Sequence, residues 1–204
     1  MLLTEWKKRY NVPLNKTLKN KTIKYANSRN WYNNSYAAIQ KRYKSHTSLF
    51  IKLLAVTSPR TTVKRNLYLA DKTLRYIIQN KPIDFSYGIT NKTTRKNVDR
   101  VINNKPIHGP KVKAFAAALN SDSSQIVIDS WMLKVFNINR SAPTQDDRVH
   151  IKTIINKLSN QLNLTPAETQ ACLWSYTKNE LNDTPFKEDN DFSEYLKQSK
   201  IEDW

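Results

Sequence analysis

The chain has 204 residues, a single Cys, two Gly and a formal net charge of +17. One cysteine excludes an internal disulfide, a cysteine-built zinc site and a four-cysteine iron–sulfur cluster. No apolar run approaches the ~18 residues of a membrane-spanning helix, and "MLLTEWKKRY" lacks a signal-peptide apolar segment.

The charge is unevenly placed. Residues 1–113 hold 25 Lys/Arg against 4 Asp/Glu, whereas residues 114–204 hold 9 against 13. A half so basic reads as a footprint for a polyanion, nucleic acid above all. A Lys/Asn-rich composition inherited from an AT-rich genome is the plainer alternative. The expectations are a DNA partner, no membrane contact, a monomer, no cofactor, no metal and a cytoplasmic, nucleoid-associated location.

In chain order, the apolar spacing is helical throughout, which predicts an all-α fold: a compact bundle of seven or eight short helices. Residues 1–29 read as a basic N-terminal helix followed by a polar arm, 11–29, of weak periodicity. Tyr32, Tyr36, Ile39 and Tyr43 recur at helical intervals, and Leu49, Phe50, Leu53 and Leu54 form an apolar face ahead of "TSPRTT". Leu67, Ala70, Leu74, Ile77 and Ile78 continue after that turn, then Val98, Val101 and Ile102. Val112, Phe115, Ala116 and Leu119 mark a helix after Gly109, and Ile151, Ile154, Ile155, Leu158 and Leu162 a later one. "TPAETQACLWSY" opens with Thr165, Pro166 and Glu168 in the order of a capping box with proline at the first helical position. Residues 30–181 read as the folded domain and the acidic residues 182–204, ending in Trp204, as a flexible tail.

Within "PIHGPKVKAF", residues 106–115, Gly109 stands between one helix and the next. Glycine opens a turn conformation closed to other residues, and the N–H groups that begin the following helix make an anion site. Lys111 and Lys113 would add charge around the same phosphate. A plain helix–helix turn with glycine for geometry is the other reading. Downstream, an apolar triplet leads to a lone acid in "IVIDSW", where Asp129 fits equally a helix N-cap and a catalytic carboxylate.

Ile107-His108-Gly109-Pro110-Lys111-Val112-Lys113-Ala114 and Asp129 together resemble the helix-hairpin-helix DNA glycosylase superfamily, the group around endonuclease III. Its hairpin typically reads Leu-Pro-Gly-Val-Gly-x-Lys-x-Ala, and a Val-Asp motif carrying the catalytic aspartate follows. "LFIKLLAVTSPRTTVKRNLYLA", with Ser58, Thr61 and Asn66, is similar to a third family element, so the likeness spans residues 45–138. "LTPAETQACLWSY" is similar to uncharacterised phage-encoded proteins. The chain departs from the family at Lys111, which replaces the second hairpin glycine. It departs also at His108, at Ser130-Trp131 after the aspartate, and in lacking the cluster cysteines.

The resemblance implies a glycosylase-like domain over 30–181 that cleaves the N-glycosidic bond of a damaged or modified base flipped out of DNA. A non-enzymatic DNA-binding protein and a phage enzyme acting on hypermodified bases are the alternatives. Asp129 would stabilise the oxocarbenium-like sugar or orient the nucleophile. Lys113 would either attack C1′ as an amine, giving lyase activity, or only hold a phosphate. Ser58, Arg60, Thr61, Lys64, Arg65, His108, Gly109 and Lys111 would meet DNA. Trp131 and Trp174 are candidates for stacking on the extruded base, or else belong to the core. His46, His108 and His150 show no metal-ligand spacing.

Overall fold

The helical spacing becomes helices, and no strand forms among the described residues. A computed structural model of the chain describes residues 1–181 and 191–197. Eleven α-helices are found among them, more than the seven or eight expected from sequence. The described residues gather into two compact units, one from 1–32 and 122–181, the other from 33–121 and 191–197. No described helix is long and apolar enough to cross a membrane.

The first unit contains α1 (Leu3–Arg9), α2 (Asn15–Lys24), the first residues of α3 (Trp31–Tyr43), α8 (Ser130–Val135), α9 (Gln145–Leu162) and α10 (Pro166–Glu180). Its core joins Trp6 and Leu18 to Ile126, Ile128, Met132, Leu133, Phe136, Ile151, Ile155, Leu158 and Leu173. The polar stretch 11–29 is therefore not a loose arm. α2 packs on α9 and α10 through Leu18 and Thr22, both buried. Two buried side chains per ten residues leave little periodicity to read, which is why the sequence understates this helix.

Trp6 fixes α1 by donating from Nε1 to Asp147 Oδ1 at 3.0 Å. Asp147 is almost wholly enclosed, accepts from the Thr144 N–H and lies 3.4 Å from Arg140. Burial opposes its ionisation, but the hydrogen bonds from Thr144 and Trp6 and the charge of Arg140 prevail, and its carboxyl stays below the ordinary range. The capping box predicted at Thr165 forms: Glu168 N–H donates to Thr165 Oγ1 at 3.2 Å, and Thr165 N–H to Glu168 Oε2 at 2.7 Å.

The second unit contains the rest of α3, then α4 (Thr47–Thr57), α5 (Val63–Ile78), α6 (Lys92–Ile102), α7 (Pro110–Leu119) and α11 (Phe192–Lys197). α4 is apolar on nearly every side, with Phe50, Ile51, Leu53, Leu54, Ala55 and Val56 all buried, and packs against α5, α6 and α7. Around it α5 turns inward Leu67, Ala70 and Leu74, and α6 turns inward Thr94, Asn97, Val98 and Val101. α11 corrects part of the expected tail, since Phe192 is buried, its N–H donates to Ser35 Oγ, and its ring meets Phe115. Residues 182–190 and 198–204, Trp204 included, lie outside the described residues.

The scarcity of glycine has a structural counterpart. Helices α1, α5, α6, α8 and α9 are each followed by an asparagine at positive φ: Asn11, Asn80, Asn104, Asn137 and Asn163, between 46° and 59°. Asparagine tolerates the left-handed region through its short polar side chain and takes the place glycine usually fills at helix ends. Glycine is kept for φ 120° at Gly88 and 102° at Gly109, beyond the range those asparagines occupy.

Candidate nucleic-acid interface and carboxylate site

In the second unit, α6 is joined to α7 by a short turn through Gly109. Gly109 is the N-cap of α7 and contributes no capping side chain, and Pro110 occupies the first helical position without an N–H. The turn is held from behind by a residue that no motif singles out. Asn97, buried on α6, donates from Nδ2 to the His108 carbonyl at 3.0 Å and accepts the His108 N–H on Oδ1 at 2.8 Å. Arg100 adds a bond to the Pro106 carbonyl. The loop backbone is thus fixed before any ligand arrives, while the side chains of His108 and Lys113 remain exposed.

The "TSPRTT" turn between α4 and α5 belongs to the same unit. Thr62 caps α5 by accepting the Arg65 N–H, Thr61 Oγ1 donates to the Thr57 carbonyl, and buried Thr57 donates to Asn66 Oδ1 at 2.6 Å. Arg60 is exposed and sits at φ 61°, and Lys64 is exposed on the first turn of α5. Lys111 joins this turn to the hairpin, its Nζ 3.0 Å from Ser58 Oγ and 3.2 Å from the Ser58 carbonyl. Arg65 is engaged elsewhere: its guanidinium donates to the Tyr87 carbonyl at 2.6 Å and lies over the Tyr68 ring. The charge of the segment 33–121, 17 Lys/Arg against 3 Asp/Glu, surrounds these two turns in sequence.

Asp129 stands in the first unit, so it and Lys113 belong to different units. It caps α8 by accepting the Met132 N–H on Oδ1 at 2.9 Å. Ile126, Val127 and Ile128 before it are all buried, which anchors the approach to the cap. Oδ1 carries the only hydrogen bond of this partly buried carboxylate among the described residues.

Aromatic and amide side chains surround that carboxylate's helix, since α8 packs on α10. Lys134 and Lys178 place their ammonium groups 4.3 and 4.4 Å from the Trp131 ring centre, and Lys178 also lies over Trp174. Trp174 meets Trp31 edge to face, so Trp174 is half in the core and half in this cluster. Tyr32, buried at the start of α3, donates from its hydroxyl to Gln170 Oε1 at 2.6 Å. Burial first, and the Asp129 charge second, push the Tyr32 phenol well above its ordinary pKa, so it stays protonated. Tyr32 and Gln170 were invisible to sequence reasoning because 138 positions separate them.

Other predicted positions have structural partners of their own. His150 packs on Trp6 and its Nε2 donates to the Met1 carbonyl. Cys172 is buried on α10, where burial and then Glu168 push its thiol up to about 12.

Fold and site together define an all-α protein with a braced glycine turn between α6 and α7 in one unit and a helix-capping aspartate on a helix that packs against α10 in the other. Residues 19–181 match the model described as a family of unknown function, DUF7178, and the chain belongs to that family. No curated protein and no solved structure matches it.

Proposed function

We propose that this protein is a DNA glycosylase, hydrolysing the bond between the sugar and a damaged or modified base turned out of the duplex. The observation that carries the proposal is Gly109: a positive-φ glycine at the head of α7, in a hairpin whose turn is already braced by Asn97. That arrangement presents backbone N–H groups to a phosphate at the positive end of a helix dipole. Lys113, Arg60 and Lys64 supply charge nearby in the sequence. As the C1′–N bond lengthens, positive charge grows on the sugar, and the Asp129 carboxylate stabilises it while water adds to C1′.

Duplex oligonucleotides carrying candidate modified bases test this directly. Wild type releases the free base, detected by mass, and Asp129→Asn does not; equal release by both would remove Asp129 from the mechanism.

A second reading, a DNA-binding protein without catalysis, draws support from the exposure of Lys113 and the engagement of Lys111 with Ser58. Its signature is DNA binding that weakens steeply with salt and no base release from any substrate. Borohydride trapping on abasic DNA, lost in Lys113→Ala, is the mark of lyase chemistry through that lysine.

A further inference from the structure

Gly88, one of the two glycines, clears the way for an arginine. A Cβ there would lie 1.9 Å from Arg65 Nη2. Through that gap the Arg65 guanidinium reaches the Tyr87 carbonyl at 2.6 Å, 4.7 Å from the Tyr68 ring centre. α6 supplies a second arginine to the same turn. Arg95 Nε donates to the Ile89 carbonyl at 2.7 Å, and its guanidinium stands 5.3 Å from the Phe85 ring centre. Both arginines are exposed, and neither pairs with a carboxylate among the described residues. Asp84, the one acid between Asp71 and Asp99, accepts instead from the Ser86 N–H and hydroxyl. Asp99 stands one turn from Arg95 on α6 and does not pair with it. Each guanidinium spends one N–H on a carbonyl, which together with the ring it lies on orients it, and leaves its other donors to solvent. A neutral carbonyl orients a cation without cancelling its charge.

A second observation points the same way. The first turns of α5, α6 and α7 carry Lys64 and Arg65, Lys92 and Arg95, and Lys111 and Lys113, with no acid in any. In the first unit α1, α9 and α10 open on Glu5, on Asp146 and Asp147, and on Glu168. The positive end of a helix dipole favours the acids and repels the lysines and arginines, so the second unit keeps its cations where they cost stability until an anion arrives. Local rules broken in this way mark functional surfaces.

We infer that Arg65 and Arg95, held on the turn around Gly88, form a second phosphate site that grips the DNA backbone beyond the Gly109 turn. The inference rests on the DNA-binding part of the glycosylase proposal and is independent of its chemistry. A planar guanidinium presents parallel N–H groups to a phosphate. Lys111 on Ser58 sets the Gly109 turn beside the turn that leads into α5, and Arg65 lies in the first turn of that helix. Both sites therefore adjoin the start of α5, which suits an anion that repeats along a strand.

The probe is a fluorescein-labelled DNA duplex of mixed sequence without any modified base, titrated at several salt concentrations and read by anisotropy. Circular dichroism checks helicity. Arg65→Gln and Arg95→Gln each weaken binding by about tenfold and reduce the salt slope by about one phosphate's share. Arg65→Lys keeps the charge but not the fork that holds carbonyl and phosphate together, and it weakens binding by a similar factor. Lys157→Gln, which removes an exposed charge from α9, leaves binding near wild type. Should either glutamine variant fail to fold, Arg65→Lys decides the question. Full binding by Arg65→Lys, or a loss in Lys157→Gln equal to that in the arginine variants, overturns the inference. Displacement of the duplex by polyglutamate as readily as by unlabelled DNA also overturns it. No binding by wild type removes the inference and the DNA reading together. Binding that depends on both arginines, without base release from any substrate, leaves the inference standing and removes the glycosylase. Base release lost in Asp129→Asn, with binding indifferent to both arginines, does the reverse.

Discussion

Lys111 Nζ reaches Ser58 Oγ at 3.0 Å, which ties the first turn of α7 to the turn between α4 and α5. Two lysines spaced by one residue therefore have different work. Lys111 braces one turn against the other, while Lys113 points into solvent.

The distinction predicts opposite outcomes for two similar substitutions. Lys113→Ala leaves the unfolding midpoint near wild type, weakens DNA binding and reduces the salt slope by about one phosphate's share. Lys111→Met lowers stability by about 1.5–3 kcal/mol, the range for a hydrogen bond to a charged group. Urea unfolding and salt-dependent anisotropy on both variants separate the two roles; identical behaviour would mean that the Ser58 contact has no structural weight.

The two glycines fail for different reasons when given a side chain. A Cβ on Gly109 meets nothing closer than Val112 Cγ2 at 3.9 Å, so Gly109→Ala carries backbone strain alone, about 1–3 kcal/mol. A Cβ on Gly88 would lie 1.9 Å from the Arg65 guanidinium. Gly88→Ala therefore adds displacement of Arg65 from the Tyr87 carbonyl to a similar strain, and it is the costlier change. Thermal unfolding of the two variants ranks them; a smaller loss at Gly88 contradicts the account.

Asp129 combines a cap with a candidate catalytic carboxylate, and substitution can part them. Asparagine caps helices as well as aspartate does, so Asp129→Asn keeps the bond to Met132 and unfolds close to wild type. Asp129→Ala loses about 1 kcal/mol with the cap. Loss of base release in both variants, with loss of stability only in the alanine, assigns the chemistry to the charge. A stability loss in Asp129→Asn as large as in alanine refutes the capping argument.

Asp147 makes stability fall only at low pH. Its carboxyl lies below the ordinary range in the folded protein, so its contribution is complete above the unfolded value of ~3.9 and is lost as pH falls through the lower folded value. Asp147→Asn removes that dependence. Urea midpoints compared from neutral pH down to about pH 3 fall less for the variant over the last unit; parallel curves would show that Trp6 and Arg140 do not favour the ionised form.

What the chain reveals in one dimension follows the range of the interactions involved. The box at Thr165 and Glu168, the cap at Asp129 and the apolar face of α4 depend on neighbours within a few residues, and all are legible. α2 escapes because only Leu18 and Thr22 are buried, and α11 because acidic surroundings hide the one anchor, Phe192. Asn97 behind the hairpin turn, Lys111 on Ser58 and Tyr32 on Gln170 are pairings of increasing sequence separation. No periodicity encodes them. The polar side chains that brace each candidate site are therefore set by the tertiary fold alone.

Each unit is drawn from separated stretches of chain, and synthesis on a ribosome meets that arrangement one residue at a time. Trp6 is synthesised 141 positions ahead of its partner Asp147. The segment 33–121 can meanwhile close around α4, needing only α11 to finish. The N-terminal helices must wait for α9 and α10 with their apolar faces uncovered. A single cut after residue 121 parts each unit from a stretch of its own chain, and one after residue 32 divides the first.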